Sequence, residues 1–138
     1  MYFSAHLSSG ILIGALTKNA PIALGLGFLS HGLLDSIPHH DYSTAKAAIF
    51  DLSLGLLVLR FFRTSFLHIS EALFWGALGA TIPDLEIVFV HALPFYSLPS
   101  LYPSHRGLIK HPQRKFPKGV IVQLLTMLIS LTLGYLIA

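Results

Sequence analysis

The stretch GVIVQLLTMLISLTLGYLIA, from Gly119 to Ala138, decides the fold. It runs without a single charged side chain. A helix of about 20 residues is roughly 30 Å long, the thickness of the hydrocarbon core of a bilayer. Hydrocarbon offers no partner to backbone N–H and C=O groups, so a segment of this kind satisfies them internally as a helix.

Working outward, four more apolar segments follow the same logic. They run from about Tyr2 to Thr17, Pro21 to Ile37, Thr44 to Phe62 and Phe66 to Ile82. Lys18, Asn19 and Pro21 separate the first two, and Pro38 ends the second. Arg60 and Arg63 close the third. Pro83 is expected to kink or end the fourth, because proline lacks the N–H a helix needs. An apolar stretch continues to His91, ahead of Pro94, Pro99 and Pro103. Each of the four is roughly 23–26 Å of helix, short for a span, which implies tilt, local thinning or ends resting in the interface. Residues 93–118 form the long non-apolar stretch, read as a loop or a short amphipathic segment on the membrane surface. The expectation is an all-α fold, one domain over residues 1–138, built as an integral membrane bundle of about five short transmembrane helices.

Composition agrees with this reading. Hydrophobic residues make up 54% and charged residues 11%, with a mean hydropathy of +0.70. Soluble domains carry about 25% charged residues, and a chain of 138 residues with so few could not cover a soluble surface. A disordered chain, a disulfide scaffold and an ordinary cytosolic enzyme are excluded, the second because Cys is absent. The net charge of +3 is small and scattered, so no nucleic-acid partner is expected, and no protein partner can be inferred. The N-terminal segment lacks a basic leader region and a small-residue cleavage motif, so it is read as a span rather than a signal peptide. Gly10 and Gly14 have the spacing that lets helices approach closely, read as packing within the bundle.

The ionisable residues carry the chemistry. A carboxylate within a membrane helix is expensive unless it is paired, hydrated or bound to a cation. His31 and Asp35 lie one helical turn apart and share a face. Pro38 then stops the helix, and His39, His40 and Asp41 follow at once. Imidazole and carboxylate together suit zinc, with manganese or iron as alternatives. Asp51 stands alone in an apolar segment, at a depth similar to His31. His6 lies near the start of the first segment. Asp84 stands at the Pro83 break, followed by Glu86. His105, Arg106 and His111 lie in the basic segment, where Arg106 could hold an anionic oxygen through a fork of hydrogen bonds.

Five spans would place all of these on one face. The N-terminus and the loops at 38–44 and 93–118 share a side, opposite the loops near Lys18 and Arg60. Lys46, Arg106, Lys110, Arg114, Lys115 and Lys118 are on the site side against Lys18, Arg60 and Arg63 on the other, which points that side toward the cytoplasm of a cell inner membrane.

At these residues the sequence resembles the membrane-bound metal-dependent hydrolase family. The likeness lies in His6 followed by Gly10, in His31-x-x-x-Asp35, in Pro83-Asp84-x-Glu86, and in His105-Arg106-Gly107 with His111. The run from Ser30 to Asp41 is also similar to the Ser-His-x-x-x-Asp-x-x-Pro-His-x-Asp pattern of many small bacterial membrane proteins. In the family, His-Arg-Gly is followed by x-Thr-His-Ser. Here Leu108-Ile109-Lys110 makes that spacer one residue longer, and the Pro-Asp motif follows the His-x-x-x-Asp helix instead of preceding it. The resemblance implies an all-helical protein that binds divalent metal through these His and Asp residues.

The expected metal ligands are His6, His31, Asp35, His39, Asp41, Asp51, Asp84, His105 and His111. They exceed the four ligands of one tetrahedral zinc, so a two-metal site is open. Asp51, Asp84 and Arg106 are the residues expected to serve catalysis. The expected function is hydrolysis of a lipid-like ester or phosphoester at the membrane interface, with membrane lipids as surroundings and the amphiphilic ester as substrate. The alternatives are a metal-binding membrane scaffold without catalysis and a metal or proton transporter. The clustering of polar groups on one side counts against transport, which needs them across the bilayer.

Overall fold

The computed structural model describes the backbone of residues 1–92 and 100–138 and the side chains of residues 1–86 and 100–138. The side chain of His91, and Pro94 and Pro99 of the 93–118 segment, lie outside the described residues. The chain forms α1 (Phe3–Thr17), α2 (Ala20–Asp35), α3 (Ala45–Ser65), a 3-10 turn (Leu67–Ile69), α4 (Ser70–Ala92) and α5 (Lys118–Ile137). Among the described residues there is no strand, only an isolated bridge between His39 and Gln113. The all-α expectation holds. Among the described residues α5 is the one helix long and apolar enough to cross a membrane, and α1 and α2 are shorter apolar helices.

The boundaries have local causes. The α1 helix ends where Lys18 takes a left-handed conformation (φ 50°) and returns its N–H to the Gly14 carbonyl. Asn19 then caps α2 by accepting the Ile22 N–H, with Pro21 in the first turn. Thr44 caps α3 through the Ala47 N–H. One sequence expectation is corrected here: α4 runs through Pro83 to Ala92 without ending. Proline removes the donor that would have bonded the Gly79 carbonyl, and the turns before it pack against helices on both flanks.

That packing rests on glycine. The α4 helix lies against both α1 and α2 at backbone contact distance. A Cβ on Gly10 would run into the carbonyl of Gly76 and come within 2.7 Å of the Ala77 Cα. A Cβ on Gly79 would likewise meet the Leu24 carbonyl of α2. Small residues let backbones approach this closely and let dispersion contacts accumulate along the seam. The packing expected of Gly10 and Gly14 is therefore between helices of one chain. Leu7, Ile11, Ala15, Phe62, Ile69, Leu73 and Ala77 form the buried core cluster.

Outside that core the helices are apolar on the exposed side as well. Leu33 of α2, Phe50 of α3 and Leu136 of α5 are each more than 70% exposed. Polar side chains are buried as well: His6, His31, Asp35, His39, Asp51, Ser8 and Gln123 have little accessible surface.

A candidate metal centre at one end of the bundle

The start of α1, the end of α2, the start of α3, the stretch of α4 after Pro83 and the 100–118 segment meet at one end of the bundle. The start of α1 has no side-chain cap of its own. Its free N–H groups are taken up by other elements: Phe3 N–H donates to the Tyr42 hydroxyl (2.8 Å) and Ser4 N–H to Asp51 (2.9 Å), while Gln123 of α5 receives the Tyr2 N–H. The Gln123 side chain also donates to the His40 carbonyl at 2.8 Å. These bonds hold His6 one turn into α1 and fix the 38–42 loop beside it.

Asp35 is the hub. Its Oδ1 accepts from the Met1 amino group at 2.9 Å and lies 3.2 Å from His6 Nε2. Its Oδ2 accepts from the Ser104 hydroxyl at 2.7 Å and lies 3.2 Å from His31 Nε2. His111 and His105 stand 3.8 and 3.9 Å from the same oxygen. His31 Nε2 also faces Asp84 at 3.7 Å, so one imidazole bridges the two carboxylates. The His6 and His31 rings stack with centroids 3.9 Å apart.

The orientation of His31 is fixed from outside the cluster. Its Nδ1 lies 2.8 Å from the Ala80 carbonyl of α4. A carbonyl only accepts, so that nitrogen carries the hydrogen and Nε2 of the neutral ring holds a lone pair toward Asp35 and Asp84. His39 repeats the arrangement. Its Nδ1 donates to the Ile37 carbonyl at 2.7 Å, leaving Nε2 facing His111 Nε2 at 2.8 Å and Asp41 at 3.2 Å. A histidine whose outer nitrogen is tied to a backbone carbonyl is oriented as metal-bound histidines are.

Among the described residues, three groups have donor atoms mutually within 4.8 Å: His6, His31 and Asp84; His31, Asp35 and His105; and Asp35, His39 and His111. The groups overlap, the first two through His31 and the last two through Asp35. His6 Nδ1, His31 Nε2, Asp84 Oδ2 and His105 Nδ1 are buried without a hydrogen-bond partner among the described residues. Buried polar atoms without a partner, such as His31 Nε2 and Asp84 Oδ2, are what a cation would satisfy. The donor set, imidazole plus carboxylate with no thiolate, fits zinc, manganese or iron; the geometry does not choose between them.

Electrostatics in the loops follows from these contacts. His111 and His39 beside Asp41 hold its carboxyl well below the usual carboxylate range. Burial pushes the His105 imidazole below its ordinary value, and the neighbouring His31 adds to that. Burial, with Asp51 alongside, raises the Tyr42 phenol.

The structure thus brings together His6, His31, Asp35, His39, Asp41, Asp84, His105 and His111. Neither Asp41, which stands 3.2 Å from His39 and 3.6 Å from His111, nor Asp51 belongs to any of the three ligand groups. Both Asp51 oxygens are occupied by Ser4, through its N–H and its hydroxyl, and by Tyr42 (2.5 Å), so Asp51 anchors the start of α1. Arg106 is exposed, and its side chain makes no hydrogen bond or ion pair with the described residues. Several site residues had little sequence signal. Ser104 binds Asp35, while Glu86, already singled out beside Asp84 in the sequence, accepts the Leu101 and Tyr102 N–H groups. The Tyr102 hydroxyl donates to the Phe28 carbonyl and accepts the Gly32 N–H, fastening the 100–118 segment to α2. The adjacency of Ser104 to His105 was the one hint available. No protein-family model, curated protein or solved structure matches the chain.

Proposed function

We propose that the protein is a membrane-embedded, metal-dependent hydrolase acting on a lipid-like ester or phosphoester at the membrane interface. The observation that carries the reading is the pair His31 and His39. Each has Nδ1–H tied to a backbone carbonyl and Nε2 turned toward carboxylate oxygens. His31, Asp35 and Asp84, with His6 and His105 alongside, would hold one ion. His39, His111 and Asp41 would hold a second, with Asp35 between them. The large exposed apolar surface of α2, α3 and α5 supports embedding in lipid as a multi-pass bundle, with the short helices accommodated by tilt or local thinning.

A divalent metal at such a site supplies a nucleophilic water near neutral pH and polarises the bond under attack. The chain's own residues do the rest. Asp84, with one oxygen unpartnered, is placed to accept a proton beside His31. Ser104 and His6 orient the two oxygens of Asp35. Arg106, free at the rim in the 100–118 segment, is in position to meet an anionic oxygen of a substrate arriving from the headgroup layer. The basic side chains of that segment support a cytoplasmic site face.

One observation favours a scaffold role instead: Asp35 is already engaged by Met1, His6 and Ser104, as in a purely structural polar network. Elemental analysis of detergent-purified protein, followed by an assay of metal-loaded protein on a panel of carboxylic and phosphoric esters, separates the readings. The hydrolase carries near-stoichiometric metal and cleaves at least one ester class in a chelator-sensitive way. Metal without turnover on any ester leaves the scaffold, and metal-free protein of full stability ends the metal reading.

A further inference from the structure

A second polar feature lies at the other end of the bundle. Where α3 gives way to the 3-10 turn and α4 begins, a cleft of about 500 Å³ opens to the outside. Leu56, Leu59 and Phe74 form its apolar wall, and Arg60, Arg63 and Ser70 its polar one. Asp51 and Arg63 are twelve positions apart on α3, so the cleft is about 18 Å of helix rise from the metal-centre end. Its charge is unbalanced. Arg63 reaches Glu71 at 3.6 Å, and Glu71 is the one acid at the cleft among the described residues, while Arg60 forms no ion pair with any of them. The Arg63 guanidinium lies over the Phe74 ring, 4.8 Å from its centroid, and its Nε is buried with no hydrogen-bond partner. The Ser70 hydroxyl makes no hydrogen bond to the described residues.

We infer that this cleft binds the phosphate of an anionic lipid, with the guanidiniums of Arg60 and Arg63 on the phosphate and the acyl chain along Leu56 and Leu59. The inference rests on the membrane-embedded reading above but not on the metal chemistry. Two guanidiniums against one carboxylate leave the cleft positive, and Arg presents a planar fork of donors that fits phosphate oxygens. The apolar wall beside them is what separates a lipid from a soluble anion. Leu56 is 52% exposed at its edge, in line for an acyl chain.

The chain's single tryptophan reports on this place. Trp75 packs edge-on against Phe74, ring centroids 5.4 Å apart, and is partly exposed. Detergent-purified protein is titrated with bromine-labelled phosphatidylglycerol and, separately, with bromine-labelled phosphatidylcholine, and Trp75 fluorescence is followed. The anionic lipid should quench at a roughly fivefold lower concentration. The double variant Arg60→Gln/Arg63→Gln should abolish that preference with metal content and helicity unchanged. Glu71→Gln should strengthen it. Equal quenching by both lipids, or a preference that survives in the double variant, overturns the inference and leaves the membrane reading standing. Absence of quenching by either lipid sinks both. Displacement of the anionic lipid by inorganic phosphate would make a soluble anion the occupant and overturn the lipid assignment.

Discussion

His39 Nε2 and His111 Nε2 face each other at 2.8 Å, across a gap that Asp41 also borders. Because His39 spends its only ring hydrogen of the neutral form on the Ile37 carbonyl, the nitrogen toward His111 has none to give. Either His111 supplies the hydrogen or a cation lies among the three. Seventy-two residues of chain separate these two rings. They meet because the 38–41 turn and the 111–114 turn pair their backbones, His39 N–H to the Pro112 carbonyl and Arg114 N–H to the His39 carbonyl.

Asp35 belongs to two of the three ligand groups, whereas His39 belongs to one. Asp35→Asn should lower the metal content of purified protein by tenfold or more, an effect of the size that ligand-shell changes produce, roughly 10- to 100-fold in affinity. His39→Gln should remove part of the metal and leave the ion at His31 and Asp84. Mass-spectrometric metal counting on the two variants beside wild type checks both. Equal loss in the two would mean a single site.

Metal uptake should weaken on the acid side. His105 is held below its ordinary imidazole value by burial and by His31, so it is neutral at pH 7 and no proton has to leave it on binding. Affinity should fall as the medium is acidified from about pH 8 to about pH 5, because protons compete with the metal for the imidazole nitrogens. Competition with a chromogenic chelator across that range measures it. Affinity that rises as pH falls would exclude imidazole ligation.

Asp41 gives a separate acid dependence. Its folded-state pKa is depressed by His111 and His39, so its contribution is present above the ordinary aspartate value and is lost as pH falls through the folded value. Thermal stability of metal-free protein should drop between pH 4 and lower values. In Asp41→Asn that part of the slope should be missing.

Asp51→Asn separates an anchor from a ligand. Both carboxylate oxygens serve Ser4 and Tyr42, so the change should destabilise the fold by about 1–3 kcal/mol. Metal content should stay at the wild-type level in the folded fraction. Loss of metal without loss of stability would return Asp51 to the ligand set.

The seam between α1 and α4 predicts a contrast between two glycines. Gly10→Ala places a methyl against the Gly76 carbonyl, and overpacking at such a backbone contact costs about 1–3 kcal/mol. Gly25→Ala in α2 meets nothing within 4 Å and should stabilise by up to about 1 kcal/mol through helix propensity. Melting temperatures in detergent should move in opposite directions.

The apolar runs and their breaks determined the helical class, the helix ends near Thr17 and Asp35, and α5 almost to the residue, because period, charge and proline act locally. The His31–Asp35 pair was equally legible, since four residues along a helix is one turn. Of the two outcomes open at Pro83, a kink or an end, the structure removes the end, because a single lost hydrogen bond does not stop a helix whose preceding turns pack against α1 and α2. The role of Asp51 was open in the sequence for a related reason: an isolated buried acid looks the same there whether it awaits a metal or receives Ser4 and Tyr42, as it does in the fold. The fit of Ser104 onto Asp35, and of the 111–114 turn onto the 38–41 turn, was decided by tertiary structure alone. Contacts across 69 or more residues depend on how close the glycine seams let the helices come, and no local pattern in the chain encodes that distance.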